Sequence, residues 1–319
     1  MLRKFAYKKI FRTTGMLFLF IMLLLFPVSK EYSLEEESNL KNVSKVVNQS
    51  EIFLLDKNGY VSRCLININY GSDEESVKKI VETLINGGKY EDKIPNGFNT
   101  IIPSDTKIND VTITDDNITV DLSDDILQIS DEKIKKTLEL LTYNLTNIKG
   151  INSIYIKIDG KILERYPNGN KIIKQPLKRA DGVNEVYDVN TYKDASKTTI
   201  YYVSKNNKGY YYVPVTKVNN DNREKIRVIV DELTSSNIYE TNLMSFLNYN
   251  TKLNNYKIDG NVLTVDFNNF LFDDVNTKSI LEEVIYSISL SVRENYDVEE
   301  VVFTVDGEEI TKSVLKNIE

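Results

Sequence analysis

The stretch ITVDLSDDIL at residues 118–127 returns in altered form as LTVDFNNFLF at residues 263–272. Both begin with a hydrophobic residue, Thr-Val-Asp and a second hydrophobic residue. This alternation is typical of a β-strand, in which the hydrophobic side chains face one way and the Thr and Asp side chains face the other. Self-similarity at a fixed spacing identifies an architecture before any motif does, so the flanking sequence decides whether a whole domain is duplicated.

The flanks repeat as well. Upstream, residues 73–87 and 221–236 each predict a helix, because hydrophobic residues recur at helical spacing. Asp73 can cap the first of these helices. Four hydrophobic positions match at a constant offset of 149, namely Val77, Ile80, Val81 and Leu84 against Ile226, Ile229, Val230 and Leu233.

Each copy also predicts the same strands. A hairpin is expected at 51–66, around Asn58-Gly59, and its counterpart at 199–215 has a longer turn. A second hairpin is expected at 106–124 and at 251–269, and in the second copy its turn contains Asp259-Gly260. The closing strands, 153–163 and 300–310, both run into Asp-Gly.

A second helix is predicted before each closing strand, over 130–148 with Ser130 as cap and over 276–295 with Asn276 as cap. The order β-β-α-β-β-α-β therefore occurs twice. The fold class that we predict is α+β, with two tandem similar domains, each made of two helices packed on a small mixed sheet. The expected domains are residues 51–163 and 199–312, with 164–198 as a linker.

The repeat resembles the GerM domain, which occurs in sporulation and spore germination proteins of Firmicutes. The resemblance rests on IIPSDTKINDVTITDDNITVDLSDDIL at 101–127, on IYIKIDGK at 154–161 and on INGG at 85–88. The second copy departs from the pattern, since it lacks the counterpart of Pro103. The resemblance implies a fold similar to the ring-building motifs of secretion-system scaffolds, whose order α-β-β-α-β follows the first hairpin here. It also implies a role in envelope assembly, and it supplies no catalytic residues.

The N-terminus predicts export. Residues 1–12 hold five basic and no acidic side chains, and the hydrophobic run 15–28 follows. Residues 1–29 are therefore expected to be a signal or anchor segment, with 13–28 in the membrane and 30–50 as a spacer. We expect an uncleaved anchor, with a cleaved signal as the alternative. The body would then lie on the extracytoplasmic face of the membrane, in the intermembrane space or in the envelope of a developing spore.

Composition excludes several classes of chemistry. The chain has no histidine and one cysteine, Cys64, which removes His-dependent nucleophilic machinery, His-ligated metal sites and an intramolecular disulfide. Beyond residue 30 it holds 34 basic and 47 acidic residues, a net charge of −13. An acidic body disfavours nucleic acid as a partner. We expect no metal and no cofactor.

Two groups of residues are candidates for an interaction surface. Asp121 and Asp266 occupy the same place in the repeated strand, although a solvated or turn-bonding aspartate is the simpler interpretation. Tyr202, Tyr210 and Tyr212 lie in the tyrosine-rich hairpin of the second copy. Tyrosine suits protein interfaces and can stack on sugars, whereas alternation would also place some of these rings in the core.

Three hypotheses for function follow. The first is a non-enzymatic, membrane-tethered envelope scaffold in sporulation or spore germination, which binds envelope proteins or itself through sheet edges and helix faces. The second is a peptidoglycan-binding module that uses the tyrosine hairpin. The third is a cell-wall hydrolase, which would need two carboxylates facing each other across a cleft.

Overall fold

The computed structural model describes residues 49–169, 171–191, 193–235 and 242–314. The predicted signal or anchor segment and nearly all of the spacer lie outside these ranges. Within them, none of the helices has the length and hydrophobicity needed to cross a membrane. The described part of the chain is an α+β fold with two tandem copies of one unit, as predicted.

The two copies contain matching elements. The first copy comprises β1 (Ser50–Asp56), β2 (Val61–Ile66), α1 (Glu74–Leu84), β3 (Phe98–Asn99), β4 (Ile108–Thr114), β5 (Asn117–Leu122), α2 (Asp131–Leu145), β6 (Ser153–Ile158) and β7 (Lys161–Ile162). The connection contains β8 (Val186–Asp188). The second copy comprises β9 (Ser196–Asn206), β10 (Gly209–Asn219), α3 (Lys225–Thr234), β11 (Leu253–Asp259), β12 (Val262–Phe267), α4 (Glu282–Asn295), β13 (Glu300–Val305) and β14 (Glu308–Val314).

The repeated Thr-Val-Asp strands, β5 and β12, lie inside two outer sheets. These sheets have the orders β4-β5-β6-β7 and β11-β12-β13-β14. In each, the middle pair of strands is parallel and the outer pairs are antiparallel, so that a helix, α2 or α4, makes the crossover connection. Ile118, Val120 and Leu122 are fully buried, while Thr119 and Asp121 are half-buried. The alternation read from the sequence is confirmed.

The first hairpins of the two copies do not belong to separate sheets. They form one central sheet in the order β3-β1-β2-β10-β8, and β9 pairs with β10. The expectation that each copy folds on its own small sheet is therefore wrong for these strands. The connection between the copies, predicted as a linker, supplies β8 to the same sheet, where β8 runs parallel to β10.

Two of the three predicted helix caps are confirmed. Asp73 accepts a hydrogen bond from the Ser76 backbone N–H at 2.9 Å, and Ser130 caps α2 in the same way. The predicted cap at Asn276 is wrong, because α4 begins at Glu282. The Asn276 N–H instead donates to the Asp274 carboxylate at 2.8 Å, and this local turn takes the place of a first helical turn.

Asparagines on the second helices cover the edges of the central sheet. Asn144 of α2 accepts a hydrogen bond from the Phe53 N–H and donates one to the Phe53 carbonyl, both at 2.9 Å. In the same way, Asn295 of α4 accepts from the Thr199 N–H of β9 at 3.3 Å and donates to the Thr199 carbonyl at 2.7 Å. β3 pairs only with Leu55 and Asp56 of β1, so Phe53 and Thr199 both lie where the sheet has no further strand. Each asparagine thus satisfies backbone groups that an exposed edge would leave open to another chain.

The contact between β2 and β10, here called the seam, joins the copies. Arg63 pairs with Tyr212 in antiparallel register, which places Val61 opposite Pro214 two residues further along. Proline has no N–H to donate to a strand ladder. The Asn184 amide from the connection fills this position: it accepts from the Val61 N–H at 3.0 Å and donates to the Val61 and Pro214 carbonyls at 2.8 and 2.7 Å.

The seam has an approximate two-fold relation. The asparagine contacts align Phe53 with Thr199, and the hairpin registers then align Val61 with Pro214. β2 and β10, the equivalent strands of the two copies, therefore pair antiparallel with the equivalent residues Val61 and Pro214 opposite each other. The isologous interface of a symmetric dimer has the same arrangement. The chain holds such a pair of units within one molecule.

Replacing Asn184 by glycine should destabilise the protein. Asn184 is buried with a φ of 46°, a value that glycine tolerates, so the change removes the side-chain hydrogen bonds without adding backbone strain. We expect the free energy of unfolding to fall by about 2–4 kcal/mol, because three buried backbone groups lose their partner. Chemical denaturation measures this loss. Asn69→Ala, at an exposed asparagine, is the control, and an equal loss in both variants would contradict the role assigned to Asn184.

Candidate interaction surface

A buried carboxylate lies beside the seam and joins both copies. Glu51 of β1 accepts from the Arg63 Nε at 2.7 Å and from an Arg293 guanidinium nitrogen at 3.0 Å, and only 2% of its side chain is exposed. Burial alone would raise the pKa of Glu51. Arg293, Arg63 and Arg179 outweigh that effect and lower the pKa to about 2. The ion pair with Arg293 reaches from the first copy to α4 of the second.

Arg179, in the connection, bridges the copies a second time. It donates to the Tyr143 carbonyl at 2.9 Å and forms an ion pair with Glu294 of α4. Its guanidinium lies over the Tyr143 ring, 4.5 Å from the centroid. The Tyr201 hydroxyl donates to the same Glu294 carboxylate at 2.8 Å. Helix α4 is therefore held against the sheet by charges from both copies.

Tyr202 is not part of any surface. It is 3% exposed, and its hydroxyl donates to Glu232 of α3 at 3.2 Å. The adjacent Tyr201 points to the opposite face of β9, where it meets α4. Helices thus cover both faces of this strand, so neither side chain reaches solvent. The prediction that Tyr202 contributes to an interaction surface is wrong for this reason.

Tyr210 and Tyr212 do reach the surface. Tyr210 is 44% exposed and packs edge-on against Phe246, with ring centroids 5.1 Å apart. Tyr212 is half-buried and contacts Tyr286 of α4 at 5.6 Å, while Tyr286 is 40% exposed. Leu65, which is 45% exposed, follows Arg63 by two residues and so lies on the same face as Tyr212. These five residues are called the tyrosine patch below.

The tyrosine patch spans the seam. Leu65 comes from the first copy, and the four aromatic residues come from the second. The pairing of Arg63 with Tyr212 brings them together, because residues opposite each other in an antiparallel pair point to the same face. Alternation within a strand was visible in the sequence. The pairing of β2 with β10, which adds Leu65, and the packing of α4 against Tyr212, which adds Tyr286, were not.

Asp121 and Asp266 bind the turn that follows the neighbouring strand. The Asp266 carboxylate accepts from the Gly307 N–H at 2.8 Å and from the Thr304 hydroxyl at 2.6 Å. Asp121 accepts from the Gly160 N–H at 3.1 Å. Burial would raise the pKa of Asp266, but the bonds from Thr304, Gly307 and Asn254 lower it. The two aspartates lie in different outer sheets, and the structure does not bring them together.

A bulge repeated in both copies adds an amide to each aspartate site, which sequence reasoning missed. The registers of β4 and β11 shift at Asn109 and at Asn254, each of which is the extra residue. Asn109 donates to Asp159 at 3.1 Å, and Asn254 donates at 3.4 Å to Asp266 and to the turn carboxylate beside it. The sequence did contain a signal for this repeated feature, because both asparagines follow Thr-Lys and a hydrophobic residue.

The carboxylates of these sites therefore have protein partners. Each accepts from an amide, a hydroxyl or a backbone N–H of its own sheet. Over the described ranges, no three metal-ligating side chains come together in a way that could hold an ion. What the arrangement does is fix the turn after each closing strand against the repeated strand.

Comparison with known proteins agrees with the duplicated fold. The model of the Germane family, described as sporulation and spore germination, matches residues 51–164 and 199–311. The chain belongs to the Germane family. The resemblance to the GerM domain is confirmed.

Among its Germane relatives is the spore germination protein GerM of Bacillus subtilis strain 168. The two are 32% identical over 262 residues, which are 81% of this chain and 71% of the relative. The solved structure of the tandem GerMN domains of the sporulation protein GerM from Bacillus subtilis has a TM-score of 0.73. It covers 82% of this chain and 91% of its own.

In this Germane chain, the Glu51 ion pairs should make stability depend on pH. The folded pKa of about 2 lies below the usual 4.5, so the ionised carboxylate stabilises the fold above pH 4.5 and this contribution is lost as the pH falls towards 2. The shift corresponds to about 3 kcal/mol. Urea denaturation of Glu51→Gln and of the natural chain should show a difference in unfolding free energy that narrows across this window. A difference that stays constant from pH 5 to pH 2.5 would contradict the assignment.

The two aspartates of the Germane repeat should differ in importance. Asp266→Ala removes two good hydrogen bonds and a third, longer one, whereas Asp121→Ala removes one. We expect the loss of unfolding free energy to be about 2 kcal/mol for Asp266→Ala and smaller for Asp121→Ala. Thermal denaturation of both variants measures this, with Asp105→Ala, at an exposed loop carboxylate, as control. A larger loss for Asp121→Ala would overturn this account of the turn contacts.

Proposed function

We propose that this protein is a non-enzymatic scaffold of the bacterial envelope, which acts in sporulation or spore germination and is tethered to the membrane by residues 13–28. Membership of the Germane family and similarity to a spore germination protein support the process. The basic N-terminus followed by a hydrophobic run supports the tether and the extracytoplasmic location.

The observation that carries the proposal is the seam. Two units that could have been separate domains are joined by a shared sheet, by the Asn184 amide and by buried ion pairs from Glu51 and Arg179. The tyrosine patch is built across this joint and leaves aromatic rings exposed. Tyrosines in such a surface are common anchors of protein interfaces. A body of this kind presents a preformed surface to a partner.

The state of two carboxylates, Glu51 and Asp266, disfavours them as the catalytic acid of a hydrolase. A glycosidase needs one carboxylic acid whose pKa is raised, so that it can protonate the leaving group. At Glu51 and at Asp266 the neighbours outweigh burial and lower the pKa, so both groups stay ionised. Their oxygens also accept hydrogen bonds that hold the fold together.

A peptidoglycan-binding module is the second candidate function. The exposed rings of Tyr210 and Tyr286 favour it, because an aromatic face can stack on the apolar face of a sugar ring. A scaffold and a glycan-binding module would use the same patch, so one experiment separates them.

That experiment places a photocrosslinking amino acid at Tyr286 or at Tyr210 of the full-length chain in sporulating cells of the native host. Tyr249, which is 79% exposed and lies outside the tyrosine patch, is the matched control position. We expect crosslinks to one or a few proteins in fixed proportion at the patch positions and not at Tyr249. Capture of wall fragments alone would contradict the scaffold function and favour the glycan-binding module. Crosslinks at Tyr249 equal to those at the patch would show that the patch has no special role.

A further inference from the structure

One end of the tyrosine patch carries two carboxylates that pair with no described cation. Glu282 and Glu283 form the first turn of α4, and Glu282 is exposed while Glu283 is half-buried. Neither takes part in an ion pair with another described residue. Tyr286 follows them by four and three positions, so all three side chains share one side of the helix.

These carboxylates lie close to the rings of the patch. Burial raises the pKa of the Tyr212 phenol, the negative charges of Glu283 and Glu282 raise it further, and the positive charge of Arg63 opposes them only in part. Tyr212 also contacts the Tyr286 ring at 5.6 Å. Two aromatic rings and two carboxylates therefore meet at the start of α4.

The protein already shows what this combination binds. In the connection, the Arg179 guanidinium lies over the Tyr143 ring at 4.5 Å and pairs with Glu294, near the end of the same helix α4. A guanidinium can stack on an aromatic face and donate to a carboxylate at the same time. At the start of α4 the rings and carboxylates are present. The arginine opposite Tyr212, Arg63, pairs with Glu51 at 2.7 Å instead, and no described arginine or lysine forms an ion pair with Glu282 or Glu283.

The opposite end of the patch has the opposite charge. The Lys205 ammonium lies 5.4 Å from the centroid of the Tyr210 ring. A partner that is basic throughout would be repelled there, whereas one with a single cationic side chain at the α4 end would not. The charges of the patch thus set the direction in which a segment can lie.

We propose that the α4 end of the tyrosine patch binds an arginine side chain presented by a segment of an envelope protein partner, with the guanidinium stacked on Tyr212 and Tyr286 and paired with Glu282 and Glu283. This proposal rests on the scaffold function and names the chemistry of its partner. A second copy of this chain is disfavoured as the occupant, because two bodies of charge −13 repel each other.

The test uses nuclear magnetic resonance of the full-length chain in detergent micelles with carbon-labelled tyrosine rings. The probes are a Gly-Arg-Gly-Arg-Gly peptide, its citrulline counterpart, which has the same shape without the charge, and a glutamate counterpart. Tyr212→Phe and Tyr286→Phe assign the two signals. We expect the arginine peptide to shift both ring signals and the other two peptides to leave them unchanged.

Charge reversal supplies the matched comparison. The double variant Glu282→Lys/Glu283→Lys should bind the arginine peptide at least about tenfold more weakly. Glu132→Lys is the control, because Glu132 holds the position in α2 that Glu283 holds in α4, given the alignment of Asn144 with Asn295. Its affinity for the arginine peptide should stay within about twofold of the natural chain, since the patch is untouched.

Several outcomes would overturn the proposal. These are equal shifts with the citrulline or glutamate peptide, shifts caused by protein concentration alone or by soluble peptidoglycan fragments, and an absence of shifts with any probe. Failure of the arginine site alone would look different from failure of the scaffold function. If photocrosslinking captured a protein partner and the double variant captured it equally well, the scaffold would stand and the arginine site would fall.

Discussion

The fold depends on a strand pairing that the backbone alone does not complete. Pro214 stands in the middle of the central sheet and has no N–H to donate, and the amide of Asn184 supplies what the ladder lacks. Because Asn184 belongs to the connection between the copies, that connection stabilises the central sheet in addition to linking the two copies. The buried ion pairs of Arg179 and the parallel strand β8 follow from the same placement, since all three lie within a short stretch of chain beside the seam.

Sequence patterns predicted what is local and missed what is not. Among the described residues, periodicity placed the four helices and three of the four strands of each outer sheet, whereas β7 and β14 were wrongly predicted as the ends of the closing strands. Asp73 and Ser130 were correct caps because capping is decided within one turn. The shared central sheet was missed, since the pattern of β2 is the same whether its neighbour comes from its own copy or from the other. Asn276 failed as a cap because it lies in a turn closed by the bond from the Ser279 N–H to the Asp274 carbonyl, and α4 begins only at Glu282.

The candidate interaction residues show the same difference between local pattern and tertiary packing. Tyr210 lies at the surface, whereas Tyr202 lies in the core, and alternation alone could not tell them apart because helices cover both faces of β9. The aspartates were correctly considered as turn-bonding groups. Their amide partners, Asn109 and Asn254, depend on bulges, which shift a strand by one residue and leave little trace in composition.

A two-fold pair of identical chains would carry two identical surfaces, and this chain carries one. The alignment of Asn144 with Asn295 places Lys135 of α2 where α4 has Tyr286. Lys135 pairs with Glu185 of the connection at 2.9 Å. In the first copy, the position that corresponds to Tyr286 is therefore engaged by the chain's own connection. In the second copy, Tyr286 and Glu282 are exposed to solvent, and Tyr212 and Glu283 are half-buried. Joining both units in one chain lets one of them hold the connection in place while its counterpart leaves the tyrosine patch open to the partner that we propose. A symmetric dimer could not divide the two tasks in this way.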